Sequence, residues 1–250
     1  MERSKIFMKG RTVLITGAAK RLGRAVALTL ARDGANIVAH YNRSAREAET
    51  LCDEVRRAGA SAWPIRADLM DPQRTQEMFR KALSQAGAID VVINNASIFD
   101  KDTLHDVNEE SVCRNMRIHT LAPLILAREF ARQDRPGHVV NLLDTRVTVY
   151  DREHASYHIS KRMLLTVTRM LALELAPNIA VNAIAPGLIL PPAGEDESYL
   201  ERLAHTNPLG RCGRVTDVAD AVLFLLSSRF ITGQVIYVDG GYHMKGHMYD

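Results

Sequence analysis

Short runs rich in β-branched residues alternate with longer helical segments along the whole chain, and that alternation leaves few folds open. Residues 11–16, 35–40, 61–67, 89–94, 138–143, 178–184 and 234–238 read as buried strands. Between them, 21–33, 44–57, 72–85, 117–132, 156–176 and 215–227 read as helices. In the first helix Leu22, Ala25, Val26, Leu28 and Leu30 supply the apolar face, and Gly34 closes the segment. Ser44 stands where it can cap the second helix. Strands separated by helices pair in parallel through right-handed crossovers, so the expected fold is α/β, a doubly wound seven-stranded parallel sheet. No repeat or linker breaks the pattern, and residues 1–250 are expected to form one domain. The longest irregular stretch, 188–198, holds two prolines and three acids. Loops of that length in compact folds are usually functional, so a substrate flap is expected around 188–206.

Composition narrows the function. Net charge is +3 with both signs interspersed, and no dense basic block suggests a nucleic-acid partner. No apolar stretch approaches the length needed to span a bilayer. The first residues lack the apolar core of a signal peptide, so a cytoplasmic protein is expected. Cys52, Cys113 and Cys212 have no metal-finger spacing, and three reduced thiols with no metal site are expected.

Two ends of a site can be read from the motifs. Thr16-Gly17-Ala18-Ala19-Lys20-Arg21-Leu22-Gly23 lies between the first strand and first helix. There Gly17 permits a tight turn, Gly23 permits close packing, and free helix amides attract a pyrophosphate, as in a Rossmann-type dinucleotide site. The middle glycine of such turns is here Arg21, and a plain strand-to-helix turn is the alternative. At the end of the second strand, His40-Tyr41-Asn42-Arg43-Ser44 lacks the acid that would hold a ribose 2′-hydroxyl. Arg43, Ser44 and Lys20 instead suit a 2′-phosphate, so the expected cofactor is NADPH. Further on, Tyr157 and Lys161 stand four apart at the start of a helix and project from one face. A neighbouring ammonium favours tyrosinate, which would lower the phenol pKa and make Tyr157 a general acid.

The chain resembles the short-chain dehydrogenase/reductase family over essentially its whole length. The matching pieces are TGAAKRLG at 16–23, ADL at 67–69, NNAS at 94–97, YHISK at 157–161, PG at 186–187 and ITGQVIYVDGG at 231–241, in family order. The resemblance implies that Asp68 and Leu69 border the adenine, and that Asn95 and Ala96 border the ribose and nicotinamide end. It implies that Lys161 also holds the nicotinamide ribose, and that Pro186, Gly187, Leu188 and Ile189 line the nicotinamide. It further implies a homotetramer; the tail at 243–250 is a candidate to reach a neighbouring subunit, with a frayed terminus the alternative.

The chain departs from the common family pattern at residue 144, where most members carry a serine and this one carries Asp144. A carboxylate beside a developing alkoxide repels it, whereas beside a nitrogen awaiting a proton it is useful. Alternatively Asp144 only turns the chain and Thr145 supplies the hydroxyl. The acid resembles the pteridine reductase branch of the family, as do Arg21 in the turn, HYNRS at 40–44, and Ser97 and Phe99 in NNASIF. That resemblance implies substrate contacts from Arg21, Ser97, Phe99, Asp144 and Tyr157, with Phe99 covering a flat heterocycle. His119 replaces a helix asparagine that supports a relay water in many members. The expected small-molecule substrate is a pterin, reduced at a C=N bond with Asp144, Tyr157 and Lys161 catalytic. A carbonyl or 3-oxoacyl reductase and a non-catalytic NADPH-binding sensor are the alternatives.

Overall fold

The computed structural model describes residues 7–192 and 194–247. Residues 1–6 and 248–250 lie outside it, among them Met248 and Tyr249 of the tail expected to reach a neighbour. Seven parallel strands form one sheet in the order β3-β2-β1-β4-β5-β6-β7. These are β1 Thr12–Ile15, β2 Asn36–Tyr41, β3 Ala62–Arg66, β4 Val91–Asn94, β5 Gly137–Leu142, β6 Ile179–Pro186 and β7 Val235–Val238.

Both faces of the sheet are covered because successive strand residues point to opposite sides. Val13 and Ile15 of β1 pack with Ile37 and Ala39 of β2 under helices α1 (Arg21–Arg32), α2 (Ala45–Arg57) and α8 (Val215–Ser227). Leu14 and Val38, one residue out of step, join the opposite core. There they meet α3 (Pro72–Ala86), α5 (Ala122–Ala131) and α6 (Ala155–Glu174). The chain reverses its winding between β1 and β4, which are hydrogen-bonded neighbours in the sheet. In such sheets the crevice at the carboxyl ends of the strands, at that switch point, is the binding place.

Several elements differ from the sequence expectation. The helix read over 117–132 begins earlier, as α4 (Glu109–Met116). It continues through a π-helical stretch, Arg117–Leu121, before α5. Among the residues of α4 only Asn115 is buried, so no apolar stripe announced it. Ser44 is the N-cap residue of α2 but its side chain makes no capping bond. Within 188–206 the chain forms α7 (Glu197–Leu203), capped by Asp196, and a 3-10 turn. Cys52, Cys113 and Cys212 are free thiols. Among the described residues no helix is long and apolar enough to cross a membrane, and no cluster of three or more metal-ligating side chains occurs.

Candidate active site

One hydroxyl ties the turn after β1 to the turn after β4. Thr16 Oγ1, just past β1, accepts hydrogen bonds from the backbone N–H of Asn95 (2.9 Å) and Ala96 (3.0 Å) beyond β4. Asn95 Nδ2 donates back to the Thr16 and Gly17 carbonyls. Backbone and side chains are so close here that a Cβ at Gly23 would sit 2.4 Å from the Gly17 oxygen. Arg21 has a left-handed backbone, φ 52°. That conformation favours glycine and accounts for the glycine expected at this position. Its guanidinium donates to the carbonyl of Pro191, which ties the turn to the segment expected to be a flap.

A cleft of about 490 Å³ opens above this turn. Gly17, Lys20, Arg21, Leu22, His40, Asn42, Asp68, Leu69, Asn95, Ala96, Ser97, Asp144, Tyr157, Lys161, Pro186, Gly187 and Ile189 all line it. An adjoining hollow is lined by Tyr41, Asn42, Arg43 and Ser44 together with Lys20. Leu188 does not line either space. Its carbonyl is taken by the Gly213 amide, and Ile189 and Leu190 face the cleft instead. Phe99 also lies outside the cleft lining; it stacks on His154 at 3.9 Å and meets Tyr157 edge-on at 4.8 Å.

The hollow fits a phosphate bearing on the second strand. Lys20 is paired with Glu47 at 2.7 Å, but no ion pair holds Arg43 among the described residues, and the Ser44 hydroxyl beside it makes no capping bond at the start of α2. An unpaired guanidinium, a hydroxyl and helix-start amides together suit a dianion. An Arg43→Ala variant is therefore expected to bind NADPH about 10- to 100-fold more weakly, the range for losing a charge-assisted hydrogen bond. NADH affinity should change far less, and fluorescence titration of both nucleotides checks it.

His40 lines the cleft but both of its nitrogens serve the backbone. Nδ1 accepts from the Gly17 amide at 3.1 Å, and Nε2 faces the Ala67 carbonyl at 3.2 Å. Burial pushes its pKa down to about 4, against the opposing pull of the Ala67 carbonyl and Asp68. Between pH 6.5 and 4 the unfolded histidine binds a proton that the native one refuses. Stability from this group is therefore complete above pH 6.5 and is lost as pH falls, by about 3 kcal/mol in all. Urea unfolding from pH 7.5 to 4 should show a steeper loss for the wild type than for His40→Gln.

The reactive end is built where β5 runs into a tight turn. Asp144 caps the 3-10 turn Thr145–Val147, with Oδ1 accepting from the Arg146 amide at 2.8 Å. Its other oxygen, Oδ2, accepts a hydrogen bond from the Tyr157 hydroxyl at 3.0 Å. Asp144 thus turns the chain and faces the phenol at once. The Thr145 hydroxyl does not point there; it is buried and donates to Asp239 Oδ2 at 2.6 Å. Lys161 Nζ, buried, donates to the Leu142 carbonyl at 2.7 Å and lies 5.6 Å from the centre of the Tyr157 ring.

The electrostatics correct the sequence expectation for Tyr157. Burial first, and then the Asp144 carboxylate, push the phenol pKa well above 10; Arg146 and the neighbouring Ser97 hydroxyl pull the other way. The anticipated lowering by Lys161 is not what governs the ring, because the ammonium is anchored to Leu142 while the carboxylate is the nearest charge. Burial also pushes Lys161 down to about 8, against the pull of Asp144. The phenol is a proton-holding donor, not a partly ionised one.

His119, in the π-helical stretch, is buried and kept neutral, its pKa well below the usual range through burial and then the charge of Lys161. The Ile98 amide donates to Nε2 at 3.2 Å, which assigns the proton to Nδ1, 2.8 Å from Ser160 Oγ. Ser160 in turn donates to the Tyr157 carbonyl, and the Ser97 hydroxyl lies 2.9 Å from Nε2. His119 therefore fixes Ser97 and the backbone of Tyr157 in place. Nothing about the residue type alone signalled this role, nor those of Thr16 and Asp239, whose partners are distant in sequence.

Comparison with known proteins agrees with this architecture. A family model described as enoyl-(acyl carrier protein) reductase matches residues 17–243. The 3-oxoacyl-[acyl-carrier-protein] reductase FabG of Staphylococcus aureus is 32% identical, covering 94% of this chain and 98% of its own. Versicolorin reductase 1 of Aspergillus parasiticus is 33% identical, with coverage of 94% and 97%. Among solved structures, FolM alternative dihydrofolate reductase 1 from Brucella canis, complexed with NADP, superposes with a TM-score of 0.88 at 36% identity. That match covers 95% of this chain and 96% of the other. With the glycine turn, the switch-point cleft and the tyrosine–lysine pair in place, the chain belongs to the short-chain dehydrogenase/reductase family of oxidoreductases.

Proposed function

We propose that the chain is an NADPH-dependent reductase acting on the C=N bond of a dihydropterin to give the tetrahydropterin. The observation that carries this reading is the Asp144 carboxylate, 3.0 Å from the Tyr157 hydroxyl, with the neighbouring Thr145 hydroxyl withdrawn to Asp239. When bound, the cofactor supplies hydride. Tyr157 delivers the proton to the ring nitrogen, which becomes strongly basic as the adjacent carbon is reduced. Asp144 accepts from that phenol in the resting state and can accept from a substrate N–H, a role an alkoxide-forming substrate does not offer. Lys161 steadies the negative charge that forms as the phenol gives up its proton. Gly17, Arg21, Leu22, Asp68, Leu69, Asn95, Ala96, Pro186, Gly187 and Ile189 hold the cofactor, with Lys20, Tyr41, Asn42, Arg43 and Ser44 at the 2′-phosphate. Phe99 and Ser97 border the substrate, and residues 188–206 close over it.

The likeness to FolM supports the pterin reading. FabG and versicolorin reductase favour a second reading, reduction of a ketone or oxoacyl thioester, which the engaged Thr145 hydroxyl disfavours. Dihydromonapterin, dihydrobiopterin and dihydrofolate are the candidate substrates. NADPH oxidation with each of these, an oxoacyl thioester and a model ketone decides between the readings. Consumption with the ketone or thioester alone overturns the pterin, and no consumption with any compound favours a cofactor sensor. A cytoplasmic homotetramer belongs to the same reading, and light scattering of the purified protein tests the assembly.

A further inference from the structure

Beyond the reacting end lies a cation that the mechanism does not use. Arg146 sits two residues past Asp144, outside the residues that line the cofactor cleft. Its side chain is 28% exposed, and its guanidinium stands over the Phe99 ring, 5.3 Å from the centroid. Nε is 3.2 Å from Asp151 Oδ2. Neither terminal nitrogen has a hydrogen-bond partner among the described residues, so the outer fork of the guanidinium is held in place and empty-handed. Burial works against its charge, but Asp144 and Asp151 outweigh that and keep it protonated more firmly than usual; Tyr199 of α7 is also close. On the same wall His154 stacks on Phe99, 5% exposed, with Nδ1 3.6 Å from Asp151 Oδ2 and no hydrogen bond to either ring nitrogen among the described residues.

We infer that Arg146 binds acceptor oxygens on the substituent that the substrate carries beyond its reacting ring, and so sets which substrate is taken. The reacting ring is taken to lie against Tyr157 and Asp144, which line the cleft. What extends outward past Phe99 meets the free fork of Arg146, whose planar donors suit paired or adjacent oxygens. Two carboxylates, Asp144 and Asp151, already face this guanidinium. A further carboxylate would add a third negative charge at this spot, so neutral hydroxyl oxygens are favoured over an acidic tail. The inference rests on the pterin reading and names the side chain that the site selects.

The test uses the full-length protein and three dihydropterins: one with a hydroxylated side chain (dihydromonapterin), one with only a methyl group, and dihydrofolate with its carboxylates. In Arg146→Met, the ratio of kcat/KM for the hydroxylated substrate to that for the methyl one should fall about tenfold or more, mainly through KM. Arg146→Lys, a point charge without the fork, should restore little of it. NADPH affinity, measured by titration, reports whether the fold and cleft are intact in each variant. An equal loss on hydroxylated and methyl substrates, or no loss, overturns the inference while the pterin reading stands. A selective loss on dihydrofolate alone also overturns it, in favour of an anion-binding role. A wild type inactive on all three overturns the pterin reading and this inference with it.

Discussion

Replacing Tyr157 with phenylalanine should lower kcat/KM by about three orders of magnitude, within the range that a positioned general acid contributes, while NADPH still binds. The ring is buried and packed edge-on against Phe99 and His119, and phenylalanine preserves those contacts. What disappears is the one hydroxyl that both faces Asp144 and stands at the reacting end of the cleft. Because burial and Asp144 hold the phenol pKa well above 10, the proton is present throughout the usual assay range, and the loss should not diminish at lower pH. Rapid-mixing measurement of NADPH oxidation, alongside NADPH titration, separates the chemical step from cofactor binding. A loss below about tenfold would mean that the proton reaches the substrate by another route.

That prediction uses residues legible in the sequence and electrostatics that were not. Tyr157 and Lys161 are visible by their spacing on one helix face, and the strand–helix alternation dictates the sheet because few topologies accommodate it. The same spacing argument points the wrong way for the phenol, since it counts the ammonium on the same helix and not the carboxylate arriving from the β5 turn, thirteen residues upstream. Two helices carry no clear sequence signal, for a local reason. In α4 only Asn115 is buried, and seven-residue α7 buries only Leu200, so neither displays the apolar periodicity on which helix reading rests. Residues acting through partners far along the chain were equally silent. The Thr145–Asp239 bond spans 94 positions, and the Thr16 bonds to Asn95 and Ala96 span 79 and 80. Arg146 looks like any turn arginine until the fold brings Phe99 and Asp151 to it.

The substitution that separates the two chemistries is Asp144→Ser. Under the pterin reading it should lower dihydropterin turnover by about 100-fold, the lower end of what a group acting in proton transfer contributes. Reduction of a model ketone or oxoacyl thioester should be kept or rise. Three consequences of one change point the same way. The carboxylate that holds the phenol proton in place is lost, the acceptor for a substrate N–H is replaced by a smaller hydroxyl, and the charge that would repel a developing alkoxide is removed. A serine can still cap the Thr145–Val147 turn through the Arg146 amide, so collapse of the turn does not confuse the outcome. Removing the carboxylate also takes away one cause of the raised phenol pKa and the one charge that supports Lys161. The pH profile should move accordingly: Lys161 titrates lower, and activity declines at a less alkaline pH than in the wild type. The decisive quantity is the ratio of pterin to ketone kcat/KM, which is insensitive to the fraction of active enzyme. If that ratio rises or holds constant in the variant, Asp144 serves the turn alone, and the chain is better read as a carbonyl reductase whose unusual acid has no part in the chemistry.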